Sequence, residues 1–414
     1  MSYKELKSLY YEDNEEYARE YLNRLNSEDA IKIDFKIGEN PAFFLENKEV
    51  MKISRDISRL DKAIGDLCRT LPGVAIEQYS RKCLIDEIVI TNKIEGVHSS
   101  RKEIGEALDI LETQSKVKGK QQRFIGLVNK YRKLINKEPM SLKSCEDIRN
   151  IYDEVFLKEV IFENPDNEPD GAIFRKGPVS VHSETDKVIH TGLVPEAKII
   201  KAMDNALRFL DDNSIDELLR ICIFHYLIEY IHPFYDGNGR LGRFILSYGI
   251  SNVVTPLISF RISETIKENI NKYYKAFKTC NDQRNLGDLT PFLLMQLNMI
   301  LSSMKELNRS LEEKLSTWNK YESAIESRCE EPVLRQLYSY LIQAAMFSEN
   351  GISMIELKHN MKKSNYIIKE LMKKIPKEML IVKHKSHFNF YSIDLEKLNA
   401  IILEESIKSI TETE

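Results

Sequence analysis

His232-Pro233-Phe234-Tyr235-Asp236-Gly237-Asn238-Gly239-Arg240-Leu241-Gly242-Arg243 is the stretch that decides the reading of this chain. It gathers a base, a carboxylate, a glycine-rich turn and two arginines. An apolar helix pattern leads into it: Leu218, Leu219, Cys222, Ile223, Tyr226, Leu227 and Tyr230 form a wide face within 214–231. Pro233 predicts the end of that helix, because its ring disfavours a helical residue before it. His232 then stands at a helix end, and an unperturbed imidazole pKa of about 6.5 suits a general base at neutral pH. Gly237 and Gly239 permit backbone conformations that other residues resist and let the main chain approach a ligand. A helix starting at about Asn238 would aim free N–H groups at the turn and favour an anion there. Arg240 and Arg243 share a helix face, and two guanidinium groups can hold neighbouring phosphates. Asp236 offers the hard oxygen that Mg²⁺ takes alongside substrate phosphates.

Each of these residues alone is more often structural, since a glycine-rich turn is commonly only a turn and a histidine at a helix end only a cap. Together they describe a triphosphate clamp with a base beside it. The loop is not a Walker motif, because GxxxxGK[ST] is absent. A zinc site from His225, His232 and Asp236 lacks any usual ligand spacing.

Working outward, residues 196–212 read as a helix, and helices resume at about Arg240 and near Glu264. Residues 292–328 read as a long connector. Upstream, Val179-Ser180-Val181-His182 and Lys187-Val188-Ile189-His190 flank a polar turn and predict a β-hairpin. Residues 101–137 read as two helices and 145–160 as another. Cys83, Leu84, Glu87, Ile88 and Thr91 recur at helical spacing within 77–95, with Gly96 as a C-cap. Residues 1–75 read as polar helices around an irregular stretch at 38–44. At the other end, three helices (333–345, 354–360, 365–375) precede two alternating segments, 380–384 and 388–393. That is the order of a winged helix-turn-helix. The domains expected are an N-terminal helical segment (1–100), a core (101–300), a connector (301–330) and a terminal module (331–414).

Composition sets outer bounds. The 414 residues are 42% hydrophobic and 30% charged, and the net charge of −4 gives no global signal for nucleic acid or a membrane surface. Only 12 prolines and 16 glycines suit a mainly helical chain. Cys68, Cys83, Cys145, Cys222, Cys280 and Cys329 are scattered with no CxxC pair, which points to reduced thiols and a cytoplasmic setting. The charged N-terminus is unlike a signal peptide, and no apolar run is long enough to span a membrane.

The central stretch resembles the signature of the Fic family, HPFx[DE]GNGRxxR, at every specified position. Tyr273-Tyr274-Lys275-Ala276-Phe277 and Gly287-Asp288 fit the family's downstream region. The resemblance covers about 75–295 well and the two ends more weakly. It implies a mainly α Fic-type core with a β-hairpin flap, followed by a winged helix-turn-helix. It also implies a nucleotidyltransferase that moves AMP from ATP to a Ser, Thr or Tyr hydroxyl of a target protein, with room for self-modification and for a homodimer. In that scheme His232 deprotonates the hydroxyl, and Asp236 holds Mg²⁺ between the α- and β-phosphates. Gly237, Asn238 and Gly239 cradle the phosphates, Arg240 meets the β-phosphate side and Arg243 the γ-phosphate. Phe234 anchors the loop in the core. Tyr273, Tyr274 and Asn281 fall in the region lining the nucleoside pocket. Val179, Ser180, Val181 and His182 match the flap, which aligns a target segment by strand addition. Gly239-Arg240 favours the AMP-transfer branch over the Doc-type phosphate transferases, where lysine replaces the second glycine.

Thr91-Asn92-Lys93-Ile94-Glu95-Gly96 resembles the family's inhibitory sequence, [ST]xxxE[GN]. Thr91 and Glu95 lie one helical turn apart. The resemblance implies that Glu95 pairs with Arg243 and keeps the γ-phosphate from it. In some members the same glutamate positions a water that removes AMP. In the terminal module, Lys362, Lys363, Lys369, Lys373 and Lys374 surround the expected recognition helix, and Lys383, His384, Lys385 and His387 its wing. DNA contact through 331–400 is physically open, as is protein docking. The rival reading is a DNA-binding regulator whose core senses a nucleotide.

Overall fold

The computed structural model describes residues 3–113, 123–182, 188–385 and 388–402. The polar turn at 183–186 and His387 lie outside them. The chain divides into two compact units, Met1–Asp61 with Leu84–Lys305, and Lys62–Cys83 with Glu306–Glu414. The divisions fall inside the helices Lys48–Thr70, Gly73–Ile94 and Thr290–Arg328.

The first unit is built around the helices Glu217–Ile231 and Asn238–Val253, which pack on each other. Nearly every residue of Glu217–Ile231 is buried, as expected of a helix apolar all round. Helix Glu196–Leu210 covers one side of it. Asp216 caps its start by accepting from Leu219 N–H at 3.2 Å. The expected flap hairpin is present as Ser180–His182 paired antiparallel with Val188–Thr191. The 145–160 helix is interrupted: Cys145–Tyr152 runs through a π-helical turn, Asp153–Leu157, into Lys158–Glu163. A capping box between Ser144 and Asp147 opens it.

The N-terminal expectation of polar helices around an irregular stretch at 38–44 needs correction. Ala30–Ile37 and Asn40–Leu45 form an antiparallel hairpin turning at Gly38, whose φ is +60°. The period-2 signal was in Ile31, Ile33, Phe35 and Ile37, and the last three are buried. Strand Asn40–Leu45 is anchored by Phe43, whose N–H donates to Gly287 O at 3.1 Å and whose carbonyl accepts from Leu289 N–H at 2.7 Å. Buried Asp288 accepts there from Tyr3 Oη at 2.8 Å and pairs with Arg24.

In the second unit, helix Pro332–Phe347 is followed by the short strand Ile352–Ser353, helices Met354–Met361 and Asn365–Lys373, and the hairpin Leu380–Lys385 with Phe388–Ile393. The three strands form one antiparallel sheet with Phe388–Ile393 in the middle. Leu337, Leu341, Ile352, Leu357 and Ile368 are fully buried in its core. Among the described residues, no helix is long and apolar enough to cross a membrane.

Candidate functional site

The loop between the two central helices is held from three sides. Phe234 is fully buried and stacks on Tyr152, with ring centroids 3.6 Å apart and 5° between planes. Tyr152 Oη donates to Asp236 O at 3.1 Å. Asn238 turns its amide back on the loop, accepting from Phe234 N–H at 2.9 Å and donating to Phe234 O at 2.8 Å. Its side chain is thus spent on loop shape, while its backbone opens helix Asn238–Val253. Gly237 supplies the left-handed turn before that helix, with φ +80°. Gly239 lies against the Glu95 and Arg243 side chains. It is helical, and a Cβ there would collide with the Glu95 carboxylate.

His232 caps helix Glu217–Ile231 in a left-handed conformation, φ 52° and ψ 64°. Arg175 secures it. This residue is fully buried, and it donates from Nε to His232 O at 2.9 Å, from Nη2 to Leu193 O at 2.9 Å and from Nη1 to Gly177 O. Its own N–H reaches Pro233 O at 3.2 Å. One guanidinium therefore ties the loop to the base of the flap, where Gly192 N–H also donates to Val179 O and Leu193 N–H to Ile231 O. Nothing in the sequence marked Arg175 out. Arg175→Met leaves three carbonyls without a donor, and unfolding in urea should show a loss of about 3 kcal/mol or more. Arg175→Lys should lose less.

Burial pushes the His232 pKa down from 6.5 to about 4, reinforced by His190 and Arg175. The base is therefore neutral at physiological pH. Around Arg243, burial pushes Glu229 up to about 8 and Glu87 up to about 7. Glu87 accepts from Ser263 N–H at 2.9 Å and Ser263 Oγ at 2.6 Å.

Both arginines are buried, Arg240 at 0% exposure and Arg243 at 2%. Arg243 meets one turn of helix Gly73–Ile94: Nε donates to Thr91 Oγ1 at 2.9 Å, Nη2 to Thr91 O at 3.2 Å, and Nη2 pairs with Glu95 Oε1 at 2.8 Å. Burial alone would raise the Glu95 pKa, but Arg243 and then Arg240 bring it below the usual carboxylate range. The Glu95 side chain keeps 29% exposure, while its partner Arg243 keeps 2%. Gly96 ends this turn at φ +74°. Arg240 pairs instead with Glu159 at 2.8 Å, a buried acid that nothing in the sequence singled out.

Asp236 is half-buried, and one of its oxygens caps Gly237 N–H. No group of three or more His, Cys, Asp or Glu gathers as a metal cage among the described residues. A Mg²⁺ ion that arrives on phosphates needs only one or two carboxylates, so the donor set fits a metal–nucleotide rather than a resident ion. Of the remaining expected residues, Tyr273 is buried with its hydroxyl 2.8 Å from His225 Nε2. Tyr274 is 39% exposed. Asn281 accepts from Tyr226 Oη, within the aromatic cluster of Tyr226, Phe277 and Phe292. On the flap, Ser180 pairs with Thr191 and Val181 with His190, with a bulge before His182, and Val179 holds its base.

Residues 143–248 match the family model described as Fic/DOC family. Over 258 residues the chain is 25% identical to the protein adenylyltransferase Fic of Drosophila grimshawi, covering 60% of this chain and 48% of that protein. Over 177 residues it is 27% identical to a probable protein adenylyltransferase of Aquifex aeolicus, covering 42% and 50%. A solved Fic family protein from Desulfovibrio desulfuricans aligns with a TM-score of 0.49 at 18% identity, over 85% of this chain and 97% of that one. The chain spans about half the length of these two curated relatives. Residues 143–248, with the signature loop inside them, thus form a Fic/DOC-family domain.

Proposed function

We propose that the chain is a protein adenylyltransferase, transferring AMP from ATP to a side-chain hydroxyl of a target protein or of itself, and that Glu95 holds it in a resting state. The observation that carries the reading is a neutral histidine set beside a helix N-terminus followed by two buried arginines. That arrangement accepts a polyphosphate and a hydroxyl together. His232 takes the proton from the target hydroxyl as its oxygen attacks the α-phosphorus. The bond from that phosphorus to the bridging α–β oxygen breaks, and pyrophosphate leaves. Arg240 and Arg243 hold the departing phosphates, and the N–H groups at the start of helix Asn238–Val253 face the charge that builds on the α-phosphoryl group. Asp236 would hold Mg²⁺, which supplies charge neutralisation between the phosphates. The flap offers a strand edge to a target segment.

At rest, Glu95 occupies the arginine needed for the γ-phosphate. Once the γ-phosphate is absent, the same glutamate would orient a water for AMP removal. The test is incorporation of label from α-labelled ATP with Mg²⁺ by the Glu95→Gly chain, and its loss in the Glu95→Gly, His232→Ala double variant. Absence of both labelling and ATP binding in the Glu95→Gly chain would overturn the reading.

A cytoplasmic setting agrees with six cysteines scattered along the chain with no CxxC pair. The helix and strand order of Pro332–Ile393 supports a winged-helix module. Lys373 and Lys374 are engaged by Glu370 and Glu331, and Tyr366 on the expected recognition helix is 72% exposed. These features favour protein docking over DNA for that surface.

A further inference from the structure

The signature accounts for Arg240 but not for the group that holds it. Arg240 Nη1 donates to Glu159 Oε2 at 2.8 Å, and the Glu159 side chain is only 2% exposed. Arg240 Nε and Nη2 are buried and have no hydrogen-bond partner among the described residues. The guanidinium lies 5.5 Å over the Phe156 ring. A buried donor left unmade is costly, so two such donors on one cation mark a place where an acceptor belongs.

Glu159 is not simply a rival for that place. Its other oxygen, Oε1, accepts from Arg123 Nε at 3.1 Å and Nη2 at 2.8 Å. Arg123 continues to Glu163 at 2.8 Å. The carboxylate is thus shared between two guanidinium groups, and one contact to Arg240 leaves that arginine's charge largely unspent. The backbone explains how an acid comes to stand here. The π-helical turn Asp153–Leu157 inserts an extra residue, which rotates the succeeding residues by about 100° around the helix axis. Glu159 and Val160 are buried as a result, while Phe162 is left 82% exposed.

We propose that Glu159 is a positioning residue, which presets Arg240 through Nη1 so that Nε and Nη2 receive the β-phosphate of a nucleoside di- or triphosphate. The role rests on the nucleotide reading above. It makes Glu159 a determinant of which nucleotides bind, since a monophosphate has nothing to offer Arg240.

The test uses calorimetry on the full chain carrying Glu95→Gly, with Mg-ATP, Mg-ADP and AMP as probes. Adding Glu159→Ala should weaken Mg-ATP and Mg-ADP by about tenfold to hundredfold and AMP by less than about twofold. In an Arg240→Ala background the same change should add no further loss, because the two residues act as one unit. Glu159→Gln, which keeps one acceptor, should fall between and serves if the alanine variant fails to fold. Equal weakening of all three nucleotides, unchanged affinity, or full additivity with Arg240→Ala would overturn the positioning role alone. No nucleotide binding in the Glu95→Gly reference would overturn the nucleotide reading and this role with it.

Discussion

Glu95→Gly should raise labelling from α-labelled ATP by about tenfold to hundredfold, the worth of one charge-assisted hydrogen bond. Arg243 is buried and has three ties to the helix turn Thr91–Glu95, of which only the 2.8 Å pair with Glu95 carries opposite charge. Removing it leaves a buried guanidinium held by one hydroxyl and one carbonyl, and a γ-phosphate is the better partner. The change also costs folding stability, because Arg243 stays buried without its carboxylate, so the yield is read beside an unfolding curve. Mass spectrometry of the chain after incubation with ATP reads the result. An unchanged yield in a chain that binds ATP normally would show that Glu95 does not control the site.

His232→Ala in the same background should lower labelling by roughly 10²- to 10⁴-fold, the usual range for a general base. The pH profile separates this from a loss of shape. His232 titrates near 4 rather than 6.5, so the base form persists through mild acid. Labelling by the Glu95→Gly chain should therefore be half-maximal at about pH 4 or below, since the variant also loses the Glu95 charge that holds the value up, and a midpoint at 6.5 would show that burial does not tune the base. The sign for stability comes from the same depression. The unfolded histidine takes its proton at 6.5 and the folded one only near 4, so stability falls as pH drops from 6.5 through 4. Loss of activity over that window has to be compared with an unfolding curve.

The loop was legible because its chemistry is continuous in sequence. His232, Asp236, Arg240 and Arg243 lie within one turn and one helix, and Pro233 fixes where the first helix stops. The pairing of Glu95 with Arg243 crosses 148 positions and was legible only through the resemblance of Thr91–Gly96 to the family's inhibitory sequence, because a glutamate before a capping glycine reads by itself as an exposed helix end. Other parts were hidden for physical reasons. Arg175 acts through carbonyls, which have no sequence signature, and Glu159 reads as one more acid on a charged helix until the π-helical turn rotates it inward. The hairpin Ala30–Leu45 was missed although Ala30–Ile37 alternates, because its partner Asn40–Leu45 carries a proline and an apolar run with no alternation. Gly239 was legible as a close approach of the main chain, but its neighbour, the Glu95 carboxylate, is far away in sequence.

The left-handed backbone at His232 has a bearing on the chain's history. A side chain with a Cβ costs about 1–2 kcal/mol in that conformation, and glycine would relieve it. Selection for folding alone would drift position 232 toward glycine or asparagine. A core that had fallen out of use has no reason to keep an imidazole in so unfavourable a place. Among natural variants of this chain, the residue at 232 should therefore distinguish lineages that still run the reaction from those that have kept only the scaffold.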